Sequence, residues 1–347
     1  MAYTAIDDPT VYFQVQLYTG TGSSQAVTLG GDTDMAIDLL WIHNRDAAEG
    51  IDIYDSIRGV TSRLRTSNAN AQDDQSANSL SAFGSDGFTV LTNNAVNADT
   101  NKYVAYCWKA GTTFSNSASA NGADIASSGT YSTAAGFSTV IYTGNRTTGT
   151  DIYHGLGNVP KFIACKSRTD DNGWVTGHVG TSDWDYHQNW HTTGAAVDDE
   201  NQFGATPAAN VFTAGSSPGT NNAGGQVAYV FADVQGFSKF GSYEGNGNAD
   251  GTFVYVGFRP AFVMCKSIDS TSDWLIFDDQ REGYNVDNDS LKANDNAAEA
   301  TTDMIDILSN GFKCRIATDP NVAETYIYAA FAKAPLVNSE GVPVTAR

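Results

Sequence analysis

The sequence predicts an all-β fold of three tandem homologous antiparallel β-sandwich modules, of jelly-roll or lectin-like type. Three observations predict it. Short aromatic and β-branched runs, such as Phe253-Val254-Tyr255-Val256 and Trp274-Leu275-Ile276-Phe277, are bounded by Gly, Asn or Asp, which is how strands and their turns are written. No long segment carries the 3.6-residue apolar period of an amphipathic helix. The same ordered set of residues also recurs three times along the chain.

Each copy opens on a Tyr-x-Gly turn, at Tyr18-Thr19-Gly20, Tyr142-Thr143-Gly144 and Tyr243-Glu244-Gly245. A buried-looking run ending in a basic residue follows, at Leu39-Leu40-Trp41-Ile42-His43, Phe162-Ile163-Ala164-Cys165-Lys166 and Phe262-Val263-Met264-Cys265-Lys266. His43, Lys166 and Lys266 stand 25, 24 and 23 residues after the Tyr of their copy. Later strands centre on Phe88, Phe212 and Phe312, and closing aromatic strands end at Trp108, Phe231 and Phe331. Composition bias does not hold such a register, so the expectation is one folding unit present three times. Copies near 100 residues are long enough to close a core without metals or staples.

The organisation then reads in order. Residues 1–10 form an extended arm, since Pro9 and the acidic pair Asp7-Asp8 discourage helix. Module 1 spans 11–111. Residues 112–136, rich in Ser, Ala, Gly, Thr and Asn, read as a linker or long surface loop. Module 2 spans 137–235 and module 3 spans 236–335, with a hinge too short for flexible separation. Residues 336–347 form an extended tail. Single helical turns are expected only near 76–83 and 303–308.

Lys and Arg total 19 against 39 Asp and Glu, a net charge of −20. That field repels phosphate backbones and anionic lipid, so the expected partners include neither nucleic acid nor membrane. Charged residues make up only 17% of the chain, which leaves a mostly neutral, turn-forming surface. No basic region precedes an apolar run at the start and no stretch approaches a membrane span. Cys107, Cys165, Cys265 and Cys314 are read as reduced core residues, consistent with synthesis in a cytoplasm.

Four groupings invite a chemical reading. The Gly245-Asn246-Gly247-Asn248 cluster lacks the Lys-Ser/Thr and helix start of a phosphate loop, and is a structural turn. Asp55 with Arg58, and Asp278 with Arg281, fall 12 and 15 residues after His43 and Lys266, where the second copy has His178 and Thr181. With no nucleophile or second acid beside them, these are loop-fixing or inter-subunit pairs. Trp174, Trp184, Tyr186, His187, Trp190 and His191, with His178 nearby, form a candidate glycan- or protein-binding patch, or aromatics buried at an interface. His187 and His191 have the i, i+4 spacing of a helical metal pair but no acidic third ligand. Asp287, Asp289 and Asp295 hint at calcium, yet their spacing lacks the required Gly and Glu. Accordingly no catalytic residue, no cofactor and no metal ligand is expected, and the chain reads as a non-enzyme.

Several strings resemble a family of phage virion proteins common among marine cyanophages and pelagiphages. They include Ala2-Tyr3-Thr4-Ala5-Ile6-Asp7-Asp8-Pro9, Tyr54-Asp55-Ser56-Ile57-Arg58-Gly59-Val60 and Tyr103-Val104-Ala105-Tyr106-Cys107-Trp108-Lys109-Ala110-Gly111. Gly236-Phe237-Ser238-Lys239-Phe240-Gly241-Ser242-Tyr243 and Pro335-Leu336-Val337-Asn338-Ser339-Glu340-Gly341 continue the likeness to the end. The resemblance implies a virion structural role on the particle surface, and offers no catalytic residues to carry over. The expected function is a tail fibre or appendage-type protein that attaches to other virion proteins and to a host-surface glycan. The alternatives are a capsid decoration protein and a free lectin-like carbohydrate-binding protein. A homo-oligomer is expected, a trimer by default, unless the three modules build a pseudo-threefold object from one chain. Edge strands and the 1–10 arm are the natural docking elements.

Overall fold

All six residues of the strand Leu39–Asn44 are buried, as are all six of Phe162–Ser167. Side chains on a strand alternate between faces, so this pattern requires a sheet covered on both sides. In the computed structural model, which describes residues 3–75, 77–281, 285 and 289–344, that is the arrangement found. The fold is all-β, with every named strand pair antiparallel and, among the described residues, only two single-turn α-helices, Asn94–Asn97 and Pro218–Asn221.

Three large sheets follow one another along the chain, with six, eight and five strands. In each, one strand (Phe13–Thr19, Phe137–Tyr142 or Ser238–Glu244) pairs with the last strand of the sheet's chain segment, and that last strand pairs on its other side with the strand carrying His43, Lys166 or Lys266. The registers correspond residue by residue. Trp108 lies opposite Leu39, Phe231 opposite Phe162, and Phe331 opposite Phe262. On the next strand Leu39, Phe162 and Phe262 face Asp55, His178 and Asp278. A smaller two- or three-stranded sheet accompanies each large one: Gln25–Val27 with Phe88–Val90 and Leu80–Phe83, Thr150–Tyr153 with Val211–Ala214, and Phe253–Tyr255 with Gly311–Cys314 and Ile305–Leu308.

The two faces of each large sheet feed different cores. Leu40, Ile42, Ala105 and Cys107 pack outward against Val27, Phe88 and Val90. Ile163, Cys165, Ala228 and Val230 pack against Ile152 and Phe212, and Val263, Cys265 and Ala330 against Ile305 and Phe312. The opposite faces of all three sheets meet in a single central core containing Trp41, Phe162, Phe262, Trp174 and Trp274. At its middle the three closing aromatics touch one another. The ring centroids are 6.2 Å apart for Trp108–Phe231, 5.7 Å for Phe231–Phe331 and 5.6 Å for Trp108–Phe331. All four cysteines are free and buried, and burial pushes the Cys165 thiol up to about 12.

Several expectations are corrected. Residues 112–136 are not a linker: Thr112–Asn116 and Ser127–Ser132 form two strands that extend the second large sheet beyond Phe137–Tyr142. Ser, Thr and Gly read as loop by composition, but an open sheet edge supplies the backbone partners that make such a segment a strand. Gly129 permits the approach, since a Cβ there would sit 1.8 Å from the Thr139 carbonyl oxygen. The 1–10 arm is not free for docking. Tyr3 donates to the Gly257 carbonyl at 2.6 Å, Ile6 enters the central core, and Asp7 accepts from the Ser339 N–H at 2.6 Å. Helical turns do not form at Leu80–Phe83 or Ile305–Leu308, both of which are strands of the small sheets; Ser76 lies outside the described residues.

Candidate functional site

The expected tryptophan patch is not a surface. Trp174, Trp184 and Trp190 are 0%, 6% and 4% exposed. Trp174 stacks on Tyr229 at 6.0 Å and meets Trp190 edge-on at 5.4 Å, and Trp190 meets Trp41 of the first sheet at 5.1 Å. Trp184 packs on Phe203 in the second sheet's outer core. Their rings are therefore not available to stack a sugar, because stacking needs an open face. Tyr186 and His191 are half-buried and His187 is buried. His187 lies in the strand Tyr186–Asn189 with His191 beyond its end, so no helix brings their imidazoles together. Apolar burial, rather than display, is what three closely spaced tryptophans serve here.

The central core is bounded by three seams where consecutive sheets meet, and the polar groups concentrate there. At the seam between the first and second sheets, Arg58 Nε lies 2.5 Å from Asp55 Oδ2, with both side chains fully shielded. The other Asp55 oxygen accepts the backbone N–H of Arg58 at 2.8 Å, so the carboxylate also fixes its turn. Tyr229 reaches across from the second sheet and donates to Asp55 Oδ2 at 2.8 Å, while Arg58 donates to the Tyr229 oxygen at 3.1 Å. Burial opposes the Arg58 charge, but Asp55 and Tyr229 more than offset it and the net shift is upward. Burial, with Asp55 beside it, holds the Tyr229 phenol well above its ordinary value, so it stays a donor.

The seam between the third and first sheets repeats this arrangement. Arg281 Nε is 2.6 Å from Asp278 Oδ2, Asp278 Oδ1 accepts the Arg281 N–H at 3.0 Å, and Tyr106 of the first sheet donates to Asp278 Oδ2 at 2.9 Å. Glu299 adds a contact to Arg281 at 2.9 Å and a two-pronged one to Arg45 at 2.9 and 2.7 Å. Both Asp–Arg pairs thus tie sheets of the same chain. Each of these guanidinium and carboxylate groups is met by protein groups.

The seam between the second and third sheets is different. His178 and Thr181 stand where the aspartate and arginine stand elsewhere, and Ala329 stands where the tyrosine stands. His178 Nε2 donates to the Tyr328 carbonyl at 3.0 Å, and Nδ1 accepts from the Gly180 N–H at 2.9 Å. Its ring packs on Phe162 and Phe240. Only the neutral ring satisfies both contacts, and burial lowers its pKa to about 4.

Two further threefold sets are structural. Lys166 and Lys266 donate to the carbonyl of the following serine at 2.9 and 2.6 Å, and His43 Nδ1 donates to that of Asn44 at 2.9 Å. Lys166 also reaches the Ala69 carbonyl of the first sheet at 3.1 Å. Burial lowers both lysines to about 8. The Tyr-x-Gly turns close on a residue that sequence reading passed over. Tyr18, Tyr142 and Tyr243 donate to the carbonyls of Val96, Thr220 and Pro320. The next residues, Asn97, Asn221 and Asn321, are fully buried and accept from the N–H groups of Thr21, Asn145 and Asn246. Their constant distance from the tyrosine, 79, 79 and 78 residues, was the signal that could have found them.

A polar cleft of about 260 Å³ separates the edge strand Phe13–Thr19 from Asp279, Gln280 and Lys333 of the third sheet. Burial raises the pKa of Asp279, with Lys333 at 3.8 Å working against it. Among the described residues no group of three or more His, Cys, Asp or Glu side chains is placed to hold a metal ion. Asp289 lies 3.7 Å from Arg45 and Asp295 lies 3.8 Å from Lys292, while Asp287 lies outside the described residues. Residues 8–335 match the family model described as a domain of unknown function (DUF7483), and the chain belongs to that family. No curated protein and no solved structure matches it.

Proposed function

We propose that the chain is three homologous β-sandwich modules closed around a pseudo-threefold axis, and that it is a non-enzymatic structural protein of a phage particle, of the tail-appendage type. One observation carries the reading: consecutive sheets bury their inward faces in one shared aromatic core, with Trp108, Phe231 and Phe331 in mutual contact at its centre. Its buried Asp55–Arg58 and Asp278–Arg281 pairs lie at the seams, where they hold sheet to sheet. One chain then supplies the threefold object that an appendage otherwise assembles from three subunits, so it attaches as a monomer to symmetric virion partners. Similar faces repeated around an axis suit attachment through several weak contacts at once. The virion assignment itself rests on the resemblance of the sequence strings given above.

Purified particles of the encoding phage, probed by mass spectrometry and by immunogold labelling with an antibody to this chain, test the proposal. Labelled tails support it. Labelled heads move the protein to capsid decoration, and its absence from particles overturns the virion role. Light scattering on the isolated chain should give the mass of one 36.8 kDa copy. A mass three times larger removes the pseudo-threefold monomer.

A further inference from the structure

The first and second large sheets carry an arginine at the same place, two residues beyond the buried His43 and Lys166. Arg45 N–H donates to the Lys102 carbonyl and Arg168 N–H to that of Gly225, each at 2.8 Å. The adjoining sheet answers each in the same way: the Glu299 N–H donates to the Arg45 carbonyl at 2.9 Å, and the Gln72 N–H to that of Arg168 at 3.0 Å. The side chains then diverge. Glu299 clamps the Arg45 guanidinium with both carboxylate oxygens. Gln72 is an amide, and its oxygen is taken by Arg58 at 3.1 Å.

Arg168 is thus left without the carboxylate its counterpart has. Among the described residues its guanidinium makes no ion pair, and its buried Nε has no hydrogen-bond partner. In a chain of net charge −20 a half-buried arginine that makes no ion pair is unusual. The guanidinium lies across Gly225, where a Cβ would come within 2.6 Å of Nη2 and 2.9 Å of Nε. Arg168 also lines an open cleft of about 270 Å³ on the flank of the second sheet, together with Ser115, Ser128 and Thr143. Ser115 and Ser128 sit directly opposite each other on neighbouring strands, with Ile141 next in the row. Burial and the nearby Arg58 lower the proton affinity of Arg168, Asp55 offsets them only in part, and a bound anion would relieve the remainder.

We propose that this cleft binds the carboxylate of a small hydroxylated acid, no larger than one sugar ring, with the Arg168 guanidinium taking it two-pronged as Arg45 takes Glu299. A planar fork matches a carboxylate in this way. Hydroxyls at Ser115, Ser128 and Thr143 can donate to or accept from the ligand's own hydroxyl groups. The site owes nothing to the virion assignment and stands or falls separately from it.

The test is calorimetric titration of the full chain with glucuronate, with N-acetylglutamate amide, and with glucose as the uncharged control. Glucuronate should bind and glucose should not. Arg168→Gln should weaken glucuronate at least tenfold with little change in melting temperature, because among the described residues that side chain makes no ion pair. Gln72→Glu supplies the missing carboxylate and should abolish binding while raising the melting temperature. Binding of the glutamate analogue alone keeps the carboxylate site and identifies an acidic protein side chain as its source. Failure of both acids to bind, equal binding of glucose, or full affinity in Arg168→Gln overturns the proposal.

Discussion

The seam between the first and second sheets and the seam between the second and third occupy corresponding places but are built differently. The first holds a fully shielded Asp55–Arg58 pair capped by Tyr229, the second a neutral His178 beside Ala329. Three positions differ together: aspartate to histidine, arginine to threonine, tyrosine to alanine. The physical reason is that none can change alone. A buried aspartate without its arginine is an uncompensated charge, and an arginine without its aspartate is worse than either absent. The comparison teaches that the triad behaves as one unit, replaceable only by a neutral group that satisfies the same backbone.

The largest break in that comparison comes from removing a carboxylate. Asp55→Ala leaves Arg58 buried without its charge partner and should cost about 3–5 kcal/mol in denaturant unfolding. Asp278→Ala should cost less, because Arg281 keeps Glu299 at 2.9 Å. Equal losses would show that Glu299 does not share the Arg281 charge. Next comes transplantation. His178→Asp alone should destabilise by about 3 kcal/mol, since it places an unpaired carboxylate among Phe162 and Phe240. Adding Thr181→Arg and Ala329→Tyr should recover most of that loss, and no recovery would break the idea of an exchangeable unit.

A pH titration sharpens the contrast. His43, His154 and His178 have pKa values lowered by burial to about 4, against 6.5 for an ordinary histidine. Neutral in the fold, they take up protons in the unfolded chain first. Their stabilisation is therefore present above pH 6.5 and is lost as pH falls from there through about 4, by roughly 3 kcal/mol for each ring. His178→Gln should flatten the dependence over that window by one proton, while Tyr229→Phe should leave its shape unchanged. The smallest effect is Tyr229→Phe itself, about 1–2 kcal/mol for one hydrogen bond to a buried carboxylate. Tyr106→Phe should match it, and a several-fold difference would mean the two seams are not alike.

Much of the fold was legible. Aromatic and β-branched runs at turn-limited spacing gave strands, and Leu39-Leu40-Trp41-Ile42 or Phe162-Ile163-Ala164-Cys165 read as continuously apolar because each such strand is covered on both faces. The Asp55–Arg58 and Asp278–Arg281 pairs stood out through their shared spacing. What lay across each seam did not, since Tyr229 is 174 residues from Asp55 and nothing local links them. The tryptophans near 184 left two readings open, a binding patch or burial at an interface, for a related reason. Trp and Tyr suit both a binding face and a core, and only the arrival of Trp41 and Tyr229 from elsewhere makes them core. Residues 112–136 misled by composition, because Ser and Gly form a strand when an edge such as Phe137–Tyr142 offers partners.

By itself the sequence determined the strand-rich character, the recurring register and the absence of long helices, since these follow from local propensity and spacing. Only the tertiary structure decided which apolar face turns toward the common core, and which arginines find a carboxylate among the described residues and which, like Arg168, do not. Those outcomes depend on side chains a hundred or more residues apart meeting out of water, where the value of a charge is set by its neighbours rather than by its own identity.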